Sequence, residues 1–135
     1  MKLQVKSYIE PVTIEVERGG EVIETLEFEC DFSDSNAAKS METAKEAKEA
    51  IDGLDIENDP AKALKVLSEL VQPMLDTLLG EGATAKIAKA FGKGYKPKDC
   101  AHALLNVYAA LNAECAERLN ESRVKIVKRY LDEEA

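Results

Sequence analysis

Between positions 12 and 30 apolar and polar residues alternate on both sides of a Gly19-Gly20 pair. Val12, Ile14 and Val16 interleave with Thr13, Glu15 and Glu17, and Leu26, Phe28 and Cys30 with Glu27 and Glu29. A period of two puts one set of side chains on each face of a strand. The glycine pair tolerates the positive φ of a tight hairpin turn. The segment therefore reads as a β-hairpin with one apolar and one wet face, in which Glu24 interrupts the alternation near the turn. This feature constrains everything downstream. An isolated two-stranded hairpin is marginal in water, so its apolar face needs a cover, and the rest of the chain reads as helix. The glutamates along both strands discourage uncontrolled pairing at the edges.

Ser33-Asp34-Ser35-Asn36 is a cluster of N-cap residues. The helix after it runs to about Ile51 and stops at Gly53, with Ala37, Met41, Ala44, Ala47 and Ile51 as a narrow, shallow apolar face. It has good helical propensity and little to bury, which suits a peripheral position or a contact surface. Asp59-Pro60 is a second start signal, a cap residue followed by proline at the first helical position. Leu64, Leu67, Leu70, Val71, Met74, Leu75, Leu78 and Leu79 then form a broad stripe, and Pro73 inside it predicts a kink or a junction of two shorter helices. Thr84 is the expected cap of a short helix over 85–91, with Ile87, Ala88 and Phe91 inward. Pro97 opens the longest pattern, roughly 35 residues, through Leu104, Leu105, Tyr108, Leu111, Cys115 and Leu119 and more weakly to Leu131.

The predicted fold is α+β and mostly α: an N-terminal β-hairpin followed by four to five helices packed as an irregular bundle. The 135 residues suit one domain, with a hairpin region over 1–32 and a helical region over 33–135. Hydrophobic residues make up 45% of the chain and aromatics 5%, without Trp, so the core must be aliphatic. Leu67, Leu70, Val71, Leu75, Leu104, Leu105, Tyr108 and Leu111 are the expected core residues. On that facing, Leu105→Ala should cost about 2–5 kcal/mol.

Charge narrows the function. Residues 1–59 hold 16 acids and 6 bases, residues 60–135 hold 10 acids and 12 bases, and the whole chain is at −8. Such a chain is a poor candidate for nucleic acid or membrane surfaces, and neither partner is expected. The acidic front and near-neutral back are compatible with head-to-tail contact between copies, and the commoner reading is a solvated acidic face with no partner. No apolar run approaches a bilayer span and the first residues lack an apolar signal core, so a cytoplasmic protein is expected. Cys30, Cys100 and Cys115 are odd in number and widely spaced, so they read as buried reduced thiols.

No constellation for catalysis, metal or cofactor stands out. Asp99 and the only histidine, His102, share a helix face, but no nucleophile motif accompanies them. Gly92-Lys93-Gly94 lacks the ending of a phosphate loop and follows no strand. Lys86, Lys89, Lys93, Lys96 and Lys98 form a basic stretch suited to an acidic protein surface, such as the front of another copy. Glu114 with Arg118 and Glu121 with Lys125 read as i,i+4 pairs on a wet face, since a di-metal site would need a Glu-x-x-His. Arg123, Ile126, Val127, Arg129 and Tyr130 make a basic amphipathic end suited to a partner groove. Together with Met41, Ala44 and Ala47 they are the predicted protein-interaction surface.

In outline the chain resembles the small tail assembly chaperones of long-tailed bacteriophages and prophages. The residues behind the likeness are the Val12-Thr13-Ile14-Glu15-Val16 strand, the Ala/Lys/Glu helix at 36–52, the Leu-rich helix at 60–79, Ala90-Phe91-Gly92, and the run Ala103-Leu104-Leu105-Asn106-Val107-Tyr108-Ala109-Ala110-Leu111 before the basic end. The resemblance implies a non-enzymatic role without cofactors. Its client would be the tape measure protein, kept soluble while tail-tube subunits assemble around it. It also implies self-association into oligomers or helical arrays, in the cytoplasm of the infected or lysogenic bacterial host and outside the mature virion. The other reading the residues allow is a small non-enzymatic bacterial adaptor or regulatory module.

Overall fold

The structure, a computed structural model, describes residues 1–119 and 125–134. Strands β1 (Ile9–Arg18) and β2 (Glu21–Asp31) form the antiparallel hairpin. Gly19 and Gly20 hold its turn at φ of 60° and 84°. Cross-strand pairing puts Val12 opposite Phe28 and Ile14 opposite Leu26. Glu24 pairs with Val16 in the same register, so it takes a position on the apolar side of the strand while staying exposed, and a bulge between Val16 and Glu17 shifts the pairing only from there to the turn.

Among the described residues five α-helices follow: α1 (Asp34–Asp52), α2 (Pro60–Leu79), α3 (Ala83–Phe91), α4 (Ala101–Glu117) and α5 (Lys125–Glu134). The fold is α+β and mostly α, as expected. Ser33 caps α1, its side chain accepting from the Asn36 N–H at 3.3 Å. Asp59 caps α2 in the same way through the Lys62 N–H at 3.1 Å. α2 runs as one element through Pro73, which is exposed, so two shorter helices do not meet there.

Two expected boundaries are corrected. α3 starts at Ala83, so Thr84 lies inside the helix rather than before it. Its N-cap is Gly82, which offers no side chain, and the Asp76 carboxylate of α2 accepts the Thr84 N–H at 2.9 Å instead. Pro97 does not open the long helix. It begins a single 3-10 turn, Pro97–Asp99, which Asp99 closes by accepting the Lys96 N–H at 2.8 Å. Cys100 then leaves helical geometry at ψ 35°, and α4 starts one residue later. Whether α4 and α5 form one helix depends on residues 120–124, which lie outside the described residues.

The core joins the inner face of the hairpin to α2, α3 and α4. Cys30, Phe32, Val71, Leu75, Leu78, Ile87, Leu104 and Cys115 are almost fully buried in it. Of the expected core, Val71, Leu75, Leu104, Tyr108 and Leu111 are buried. Leu67, Leu70 and Leu105 are only half-buried, which corrects the expectation. The cause is α1. Its buried residues are Ala37 and Ser40, and its short side chains do not reach far enough to cover the outer part of the leucine stripe. All three cysteines are buried free thiols.

Candidate interaction groove

Leu67 and Leu105 lie on the floor of a groove between α1, α2 and α4. Ala44, Ala47 and Ile51 line one wall, three residues spaced along the same side of α1. Leu67 and Val71 come from α2, and Leu105, Tyr108, Ala109 and Ala113 from α4. The volume is about 400 Å³, and Lys48, Asp52 and Asn112 add polar groups to the lining. An apolar floor, alanine walls and a few polar groups suit the side chains of an amphipathic helix, which small wall residues let come close.

Polar contacts set the width of the groove. The Ser40 hydroxyl donates to Asn112 Oδ1 at 2.7 Å, and the Tyr108 hydroxyl donates to the Ser40 carbonyl. α1 has little apolar surface, so these buried bonds tie it to α4 where leucines would otherwise do so. Burial pushes the Tyr108 hydroxyl pKa up, against a smaller downward pull from its bond to Ser40.

A second set of contacts ties the hairpin to the end of α4. Arg118 reaches Glu10 on β1 at 2.6 Å and Glu114 at 2.9 Å, and its guanidinium sits 4.4 Å from the centroid of the Phe32 ring. Its side chain is 14% exposed. The reading of Glu114 and Arg118 as a pair on a wet face is therefore corrected: Arg118 is a clasp between elements. No spacing rule marks it, because Glu10 lies more than a hundred positions away in sequence. Glu121 lies outside the described residues.

The predicted interaction residues divide between two places. Ala44 and Ala47 line the groove, while Met41 is half-buried on α1 and is not among the residues lining it. Val127, Arg129 and Tyr130 are exposed on α5, Val127 at 57% and Tyr130 at 64%, and do not line the groove. Arg123 and the side chain of Ile126 lie outside the described residues. Sequence reasoning missed Leu67 and Leu105 as groove residues because stripe periodicity does not reveal how far a neighbouring helix reaches.

Other motifs resolve locally. The Asp99 carboxylate is engaged by the Lys96 backbone, and His102 is exposed on the first turn of α4. Tyr95, beyond Gly92-Lys93-Gly94, stacks on Phe91 with centroids 6.4 Å apart. Lys86 and Lys89 border a cleft with Glu24 of the same chain. A wider depression of about 620 Å³ lies between α2 and the 3-10 turn, but charged Lys65, Glu69, Lys96 and Lys98 line much of it. No helix among the described residues is long and apolar enough to cross a membrane.

Residues 24–135 match the model of a family of unknown function, DUF6673. That span covers most of the chain, from within β2 through α5, and the chain belongs to this family. No curated protein and no solved structure matches it.

Proposed function

We propose that this member of the DUF6673 family is a non-enzymatic binding protein whose three-helix groove receives an amphipathic helix of a client. The outline resemblance names the client: the tape measure protein of a long-tailed phage or prophage, held soluble for assembly with tail-tube subunits. On this reading the protein works as a tail assembly chaperone in the bacterial cytoplasm and leaves before the virion is complete.

The observation that carries the reading is the groove itself, with Leu67 and Leu105 half-buried on its floor behind the Ala44 and Ala47 wall. Leucines with this exposure, framed by small residues, leave a complementary surface unfilled. The exposed Val127, Tyr130 and Leu131 of α5 offer a second apolar stripe for a long helical client.

The test is co-expression with the tape measure protein of the same phage or prophage, followed by size exclusion with light scattering. A soluble complex with several copies of this chain per client is expected. Ala47→Glu places a charge on the groove wall at a half-buried site, so it should abolish the complex while the circular dichroism spectrum stays unchanged. A soluble monomer beside an insoluble tape measure protein would overturn the reading. Capture that survives Ala47→Glu in a folded variant would remove the groove from it.

A further inference from the structure

Residues 1–7 precede β1 without secondary structure and are exposed throughout. Leu3 is 83% exposed and Val5 94%. These two alternate with Lys2, Gln4 and Lys6, the period of a strand with an apolar side and a basic side. Among the described residues the arm pairs with no strand of its own chain. The Tyr8 carbonyl takes a bond from the Phe32 N–H at 3.0 Å, and the chain then turns away from the hairpin into α1.

Because the sheet has two strands, each strand has one edge without a neighbouring strand. The two edges differ. Pro11 lies within β1 and removes an N–H from that strand, whereas β2 contains no proline from Glu21 to Asp31. Along β2, Glu27 and Glu29 are exposed on the wet face. Leu26 and Phe28 are half-buried on the other face, where Leu26 borders a cleft of about 230 Å³ with Ala90, Lys86 and Lys89 of α3.

We propose that the arm of one copy adds as a third strand to the free edge of β2 in a second copy. Charge sets the facing. With Leu3 and Val5 of an antiparallel arm covering Phe28 and Leu26, Lys2 lies opposite Glu29 and Lys6 diagonal to Glu27 on the wet face. The reverse facing would set Leu3 and Val5 against the glutamates of the wet face and carry the arm lysines to a cleft where Lys86 and Lys89 already accompany Glu24. The same glutamates repel the acidic edge of another hairpin, so the edge rejects its own kind and admits the basic arm. Arm and edge are different surfaces, so the contact is heterologous and extends from copy to copy unless the rotation closes a ring. This proposal stands apart from the groove reading, because neither surface belongs to the groove.

Sedimentation velocity on the full chain across a concentration series tests it. The wild-type protein should self-associate, more strongly at low salt. Lys2→Glu with Lys6→Glu should weaken association about tenfold, as should Glu27→Lys with Glu29→Lys, because each turns one directly opposite pair and one diagonal pair from attractive to repulsive. An equimolar mixture of the two variants pairs each altered arm or edge with its opposite charge and should restore association. All four positions are exposed, so circular dichroism should show both variants folded. A wild-type chain that stays monomeric, variants that associate as the wild type does, or a mixture that stays apart would each overturn the proposal.

Discussion

Replacing Arg118 by Ala should loosen the hairpin before it unfolds the helices. The guanidinium closes a path from β1 through Glu10 to the end of α4 at Glu114, with the Phe32 ring beneath it. Both carboxylates are about half exposed, at 51% and 43%, so each ion pair is discounted for solvent screening to about 0.5 kcal/mol. The ring contact on a largely buried cation adds about 0.5–1 kcal/mol, and the packed stem contributes a similar amount. The expected loss is about 2 kcal/mol. Burial of the guanidinium opposes its charge, but Glu10 and Glu114 outweigh this and push its pKa up, so the cation persists wherever the protein is folded. Urea denaturation gives the total. A cycle with Arg118→Met and Glu10→Gln isolates the bridge to β1, with an expected coupling of about 0.5–1 kcal/mol. Hydrogen exchange should then quicken in β1 and β2 and remain slow in α2 and α4. A loss below about 0.5 kcal/mol, or exchange that quickens equally everywhere, would refute the clasp.

The groove and core make opposite demands on two adjacent leucines. Leu104→Ala should cost about 2–5 kcal/mol by opening a cavity, whereas Leu105→Ala, half-buried on the groove floor, should cost only about 1 kcal/mol; the reverse order in chemical denaturation would mean that α4 is turned the other way. Burial first, and then Cys115, pushes the Cys30 thiol up from 9.0 to about 12. A raised acid pKa means the folded state holds a proton that the unfolded state releases, so this contribution is whole below pH 9.0 and is lost as pH rises toward about 12. Stability should therefore fall across that window, and Cys30→Ala should flatten the slope; an unchanged slope would show that other groups set it.

What was legible in the sequence was local. Alternation around Gly19-Gly20 marked both strands, and Ser33 and Asp59-Pro60 marked the starts of α1 and α2, because each signal acts within a few residues. Where a distant partner decides, the reading failed. Thr84 looks like a cap only until Asp76 supplies one from the preceding helix, and Arg118 looks solvated only until Glu10 and Phe32 arrive. Leu67 and Leu105 fit the stripe as well as Leu75 and Leu104 do. They differ only because α1 presents alanine where a larger side chain would have sealed the surface. Half of the candidate site was legible for the same reason, since Ala44 and Ala47 announce a shallow helix while the leucines beneath them depend on how that helix packs.

The bond from the Thr84 N–H to Asp76 also bears on the order in which the chain assembles. α3 is nine residues long, too short to persist alone in water, and its first turn depends on a carboxylate carried by α2. α3 is therefore a dependent element. It takes shape once α2 has brought Asp76 to within reach, and a synthetic peptide of residues 80–92 should give a random-coil circular dichroism spectrum. The basic stretch that begins at Lys86 is in turn laid out only on a chain whose central helix has already formed.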